Sequence, residues 1–238
     1  MTTLRCVWEH NGGDTLLYAA DADFFGVYAR GTSREEALQK ISRDAAAYCR
    51  WRGGTVPGEF AVEVVQEQES TLQICDADSD VLFETERLPL TFAEYAALRD
   101  RTLRSARDFL ALYRSVPDVK RSALPVRKTF YGAAPRTAEE MYVHTKNVNA
   151  YYFGEIGVDV GNDGDILSCR GEGFTRLERQ EGYLENRIFS GSWGEDWTLR
   201  KLLRRFLWHD RIHAKAMWRM ALRTFGSGAV PDVFRFAD

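Results

Sequence analysis

Leu199-Arg200-Lys201-Leu202-Leu203-Arg204-Arg205-Phe206-Leu207-Trp208-His209-Asp210-Arg211-Ile212-His213-Ala214-Lys215-Ala216-Met217 is the most strongly patterned stretch of the chain. At helical period, Leu199, Leu202, Leu203, Phe206, His209, His213, Ala216, Met217 and Met220 share one stripe. Arg200, Lys201, Arg204, Arg211, Lys215 and Arg219 point away from it. Two of the four histidines therefore sit on an inward-facing surface. Residues four apart on a helix have Cβ atoms about 5–6 Å apart, so His209 and His213 can each give one ring nitrogen to the same metal ion.

A third ligand is needed for an open, catalytic-type site. His10 lies in Glu9-His10-Asn11-Gly12-Gly13, which reads as a turn. His144 is the better candidate, because Met141, His144, Val148, Tyr151 and Tyr152 form another helical stripe. Three imidazoles from two facing helices, His144, His209 and His213, with one position left for water or substrate, suit Zn²⁺ or Ni²⁺. A single histidine on an apolar stripe reads as a satisfied core residue; three on two stripes favour a metal. Asp210, Tyr142, Tyr151 and Trp208 neighbour the histidines in sequence, but the pattern does not fix their helical directions, and they are assigned no role.

The segment Trp208-His209-Asp210-Arg211-Ile212-His213-Ala214-Lys215-Ala216-Met217, with His144 about one helix-hairpin upstream, resembles the DinB/YfiT-like metal-dependent superfamily over about residues 91–225. The resemblance implies a four-helix bundle with one histidine on the second helix and an H-x3-H pair on the fourth, here His144, His209 and His213, binding a divalent metal. It also implies a thiol-dependent transferase or isomerase using bacillithiol, mycothiol or glutathione on a small-molecule substrate.

At 238 residues the chain has room for one large or two small domains. Its 45% hydrophobic and 28% charged residues fit an ordinary globular protein. There is no run of eighteen apolar residues, and Met1-Thr2-Thr3-Leu4-Arg5-Cys6 lacks a signal-peptide core, so no membrane partner and a cytoplasmic location are expected. Cys6, Cys49, Cys75 and Cys169 form no C-x2-C pair, and reduced, inert thiols are expected. The net charge of −3 is split: residues 1–90 hold 8 Lys/Arg against 16 Asp/Glu, and residues 91–238 hold 24 against 19. The asymmetry places a domain boundary near residue 90 and makes the N-terminal part a poor polyanion binder.

Toward the N-terminus, residues 3–9 and 15–20 flank the turn Asn11-Gly12-Gly13-Asp14 and read as a hairpin, with a third strand at 24–29. Thr32 with Glu35, or Ser33 with Glu36, has capping-box spacing at the start of a helix. A strand at 60–66 follows, with extended segments at 71–75 and 81–84. This β-β-β-α-β order, centred on Phe25-Gly26-Val27-Tyr28-Ala29-Arg30-Gly31-Thr32-Ser33-Arg34-Glu35-Glu36-Ala37-Leu38, resembles the HicB-like antitoxin domain over about residues 3–68. Such antitoxins neutralise an RNA-cleaving toxin. No helix-turn-helix or basic arm is present, so nucleic acid is not expected as a partner.

From residue 91 the period is helical. Thr91 with Glu94 and Thr137 with Glu140 have capping-box spacing, and Glu140 is read as a cap rather than a base. A third helix is expected from about 174 to 189, and Asp196 is the expected N-cap of the histidine helix. Asp159–Asp165 fails as a calcium loop because Arg170 stands where a bidentate Glu is required. The basic outer face of the last helix reads as solvated.

The expected fold class is thus α+β: an N-terminal HicB-like β-α-β domain, residues 1–90, followed by an antiparallel four-helix bundle, residues 91–238. The expected function is a divalent-metal-dependent enzyme of the DinB-like type, a thiol transferase by resemblance, with a homodimer allowed. The rival is an antitoxin-like or other interaction protein in which the histidines are structural and a toxin is the partner.

Overall fold

The computed structural model describes residues 1–237. The chain divides into two compact units, Met1–Leu88 with Arg235–Asp238, and Pro89–Phe234.

In the first unit, β1 (Thr2–His10) and β2 (Thr15–Ala19) are antiparallel, with His10 opposite Thr15 across the Asn11–Asp14 turn. The Asn11 side chain closes that turn by accepting from the Gly13 and Asp14 amides. β3 (Tyr28–Gly31) pairs with β2, and β4 (Phe60–Glu69) lies parallel to β1, giving the order β3-β2-β1-β4. A parallel neighbour needs a crossover, and α1 (Arg34–Arg52) supplies it. Of the two caps the sequence left open, Ser33 serves: its hydroxyl accepts from the Glu36 amide, while the Glu36 carboxylate accepts from Thr32. β2 is buried at every position, covered by α1 and by the stretch carrying Ile74, Val81 and Phe83. That stretch is not extended as expected: residues 74–76 and 84–87 are single 3₁₀ turns. The third strand also begins later than expected, because Ala22–Phe24 is a 3₁₀ turn.

The second unit holds α2 (Phe92–Ser115), the ribbon β5 (Lys128–Thr129) with β6 (Gly132–Ala133), α3 (Ala138–Glu155), α4 (Ile166–Leu177), the ribbon β7 (Phe189–Ser190) with β8 (Asp196–Trp197), and α5 (Leu199–Phe225). Thr91 with Glu94 and Thr137 with Glu140 close reciprocal capping boxes at the starts of α2 and α3. Glu140 accepts from the Arg136 and Thr137 amides, so it is engaged as a cap.

The expected fold class does not hold. The chain is mixed α/β, with a four-stranded mixed sheet and five helices spread through its length, rather than an α+β protein ending in a clear four-helix bundle. The helix expected over 174–189 instead spans Ile166–Leu177, capped by the Asp165 carboxylate on the Ser168 amide. Left-handed backbone at Gly182 and Asn186 then turns the chain, and the ribbon β7–β8 takes the place of a continuing helix. The Leu90 amide donates to the Leu184 carbonyl, tying this irregular stretch to the start of α2.

α5 also differs from its expected form. Thr198, not Asp196, is its N-cap, accepting from the Lys201 amide. Its basic face is solvated only toward the C-terminal end, where Arg219 and Arg223 are exposed; Arg200, Lys201, Arg204 and Arg211 are all buried. Arg200 donates to the Pro89 carbonyl and Glu94, and Lys201 to the Asp196 carbonyl and Glu195. Burying such charges is tolerated only when they are paired, and the partners come from residues scattered from 89 to 196. No helix of the described residues is long and apolar enough to cross a membrane.

Candidate metal centre

His144 stands in the middle of α3, and His209 and His213 stand one turn apart on α5. The two helices pack together and bring all three imidazoles to one point. Ring centroids are 5.1 Å apart for His144 and His209, 4.6 Å for His144 and His213, and 4.5 Å for His209 and His213. One ring nitrogen from each lies within 4.8 Å of the others, so the three histidines could hold a metal ion.

Nε2 of His209 and Nε2 of His144 are 3.2 Å apart. Two nitrogens each bound at about 2.0–2.1 Å in tetrahedral geometry are separated by about 3.3 Å, so this pair already has the spacing of one edge of such a site. His209 is buried and Nδ1 of its ring has no hydrogen-bond partner among the described residues, while His144 and His213 are half-buried. His209 is therefore the enclosed member of the cluster, and the other two rings are partly exposed. The donor set is all nitrogen. That chemistry fits Zn²⁺, Ni²⁺ or another imidazole-binding transition ion, and does not fit Mg²⁺ or Ca²⁺, which take oxygen ligands.

Electrostatics keep the lone pairs available. Burial lowers the pKa of His144. His209 is held well below its ordinary value, first by burial and then by the positive potential of His213, His144, Arg205 and Arg170. Neutral imidazole is the form that binds metal.

The spacing of α3 and α5 is fixed by a buried polar tie. On α4, Arg170 donates through Nε to Oδ1 of Asn149 on α3, and through both terminal nitrogens to Asp210 on α5, at 2.6 and 3.2 Å. Its guanidinium also stacks over Phe206, 4.0 Å from the ring centroid. Both members of the ion pair are 0% exposed. Burial raises the Asp210 carboxyl, and the bidentate guanidinium and the Ser105 hydroxyl limit that rise. Asp210 adjoins His209 in sequence but points to the opposite partner, so it braces the helix that carries two ligands.

The other neighbours have structural engagements. Tyr142 stacks on Tyr113 at 4.1 Å and accepts from the Ile166 amide. Tyr151 packs edge-on against Trp197, and Arg205 lies over Trp208. His10 is not in a turn; it ends β1, stacked on Trp8 and paired with Glu67, and belongs to the first unit. The four cysteines form no disulfide among the described residues; Cys169 is buried, donates to the Asp163 carbonyl, and has its pKa raised by burial.

Two neighbours of the cluster carried no signal in the helical periodicity. One is Arg170, whose burial depends on Asp210 forty residues away. The other is Tyr131, in the turn of the ribbon β5–β6, whose ring lies 6.4 Å from that of His144 and nearly parallel to it. No family model, no curated protein and no solved structure matches the chain.

Proposed function

We propose that this protein is a divalent-metal-dependent enzyme acting on a small molecule, with His144, His209 and His213 as its metal ligands. The observation that carries the reading is the convergence of one nitrogen from each of three imidazoles, from two helices, with two of the three rings partly exposed. Three protein ligands with one position left over is the arrangement of a catalytic rather than a structural zinc site. When bound, a divalent metal supplies Lewis acidity, which brings a thiol or a water within reach of deprotonation near neutral pH.

The chain's own groups support that chemistry. Burial keeps His209 and His144 neutral and ready to coordinate. The Arg170–Asp210 tie holds the two ligand-bearing helices in place before any ion arrives. Burial of His209 limits water at that ligand, and the other two rings are partly exposed. Within this reading, the resemblance of the histidine helix to the DinB/YfiT-like superfamily makes transfer of a low-molecular-weight thiol to an electrophile the leading reaction.

The test is the metal content of untagged protein by mass spectrometry, beside the triple His144/His209/His213 alanine variant. Near one equivalent in the wild type and none in the variant supports the site. No metal in either protein, after reconstitution with Zn²⁺ or Ni²⁺, overturns it and makes the histidines structural.

A further inference from the structure

The ribbon β5–β6 stands out because its composition serves no core. Its two strands are two residues each, and its turn residues are Phe130 and Tyr131. Polar contacts hold its shape: the Ala134 amide donates to the Arg127 carbonyl, and Thr129 Oγ1 to the Gly132 carbonyl. Gly132, at φ +118°, takes a backbone angle that other residues rarely adopt. The apolar side chains contribute little to this closure, since Val126 is 70%, Phe130 56% and Tyr131 49% exposed. Large apolar groups gathered within six positions and left in water cost solubility without adding to the core.

Their placement gives them a use. Tyr131 lies alongside His144, one of the two partly exposed histidines of the cluster, with the rings 13° from parallel and their centroids 6.4 Å apart. Phe130 meets Tyr131 edge-on, 4.9 Å between centroids, extending the aromatic surface outward from the histidine. The surface is thus continuous with the metal ligands at one end and reaches solvent at the other.

Resting on the metal reading above, we propose that Phe130 and Tyr131 form the substrate-binding wall of the site, and that its ligand carries an aromatic or flat apolar group beside the atom that approaches the metal. A ring held against this wall gains offset or edge-to-face contact together with desolvation. A ligand with the same donor atom and no ring gains neither. The wall therefore sets specificity without touching the histidine nitrogens.

The experiment uses the full-length, untagged protein loaded with Co²⁺, whose visible absorption reports the surroundings of the ion. Imidazole and 4-phenylimidazole, which share a donor and differ by one ring, are titrated separately. In the wild type, 4-phenylimidazole is expected to bind about 10-fold tighter than imidazole. In the Phe130→Ala/Tyr131→Ala variant that preference should fall to about 2-fold or less, with the His209-dependent Co²⁺ spectrum retained; Tyr131→Phe should keep the preference. Equal affinities for the two probes in the wild type, or an undiminished preference in the double variant, overturn the proposal while leaving the metal site standing. Absence of any Co²⁺ spectrum that depends on His209 removes the metal reading, and the wall falls with it.

Discussion

At the scale of single residues, the decisive feature is histidine held neutral by its surroundings. An imidazole in water takes up a proton near pH 6.5, whereas His209 resists protonation well below that value and His144 is also lowered. The sign follows from linkage: below about pH 6.5 the unfolded chain binds protons that the folded site refuses, so stability falls as pH falls. Metal-free protein in chelator should therefore lose urea resistance between pH 7 and pH 5, by up to about 1.4 kcal/mol per pH unit for each proton excluded. His209→Ala should flatten that slope by about one proton. An unchanged slope in the variant would mean that His209 is protonated as easily in the fold as outside it. The residue scale also shows what spacing can reveal. His144, His209 and His213 were legible because helical period places side chains on faces; Arg170 was not, because nothing near it in sequence announces a buried arginine.

At the scale of elements, the closeness of α3 and α4 depends on Gly173. A Cβ there would lie 2.0–2.5 Å from ring atoms of Phe153, which are hemmed in by Phe174 and Phe206. Gly173→Ala is expected to destabilise the protein by about 1–3 kcal/mol through overpacking. Two residues earlier in the same helix, a Cβ on Gly171 meets nothing within 4 Å. Gly171→Ala should stabilise by about 0.5–1 kcal/mol, as alanine does in a helix interior. Opposite signs in urea unfolding of the two variants would confirm the close approach; the same sign would refute it. The caps at Ser33, Thr91 and Thr137 were legible because each satisfies amides within four residues. The boundaries of α4 were not. Its apolar residues continue past Leu177, and only left-handed turns at Gly182 and Asn186 end the helical course.

At the scale of the whole molecule, the candidate site lies entirely within the second of the two compact units. A metal that binds only the folded form adds about 2.7 kcal/mol at a hundredfold excess over its dissociation constant. Zn²⁺ should therefore slow amide exchange along Ala138–Glu155 and Leu199–Phe225 and leave the strands β1 to β4 unchanged. Protection spread evenly over the chain, or none, would contradict a site built from α3 and α5. In the first unit, β4 is one of the two edge strands of the sheet, and it carries Glu63, Glu67 and Glu69. Charges along an open edge discourage pairing with another chain.

What the sequence determined by itself was local: three capped helix starts, the first hairpin, and the faces on which three histidines would lie. Each rests on interactions within about four residues or on a simple period, so it can be read without knowing the fold. What the tertiary structure decided was long-range. It joined the histidine of α3 to the pair on α5, buried four basic residues of the last helix, with Arg200 paired to a carbonyl about a hundred residues away, and replaced an expected helix by a ribbon, giving a mixed α/β chain. The physical reason is that burial and charge pairing depend on which surfaces meet, and period alone places a residue on a face without naming what will cover it.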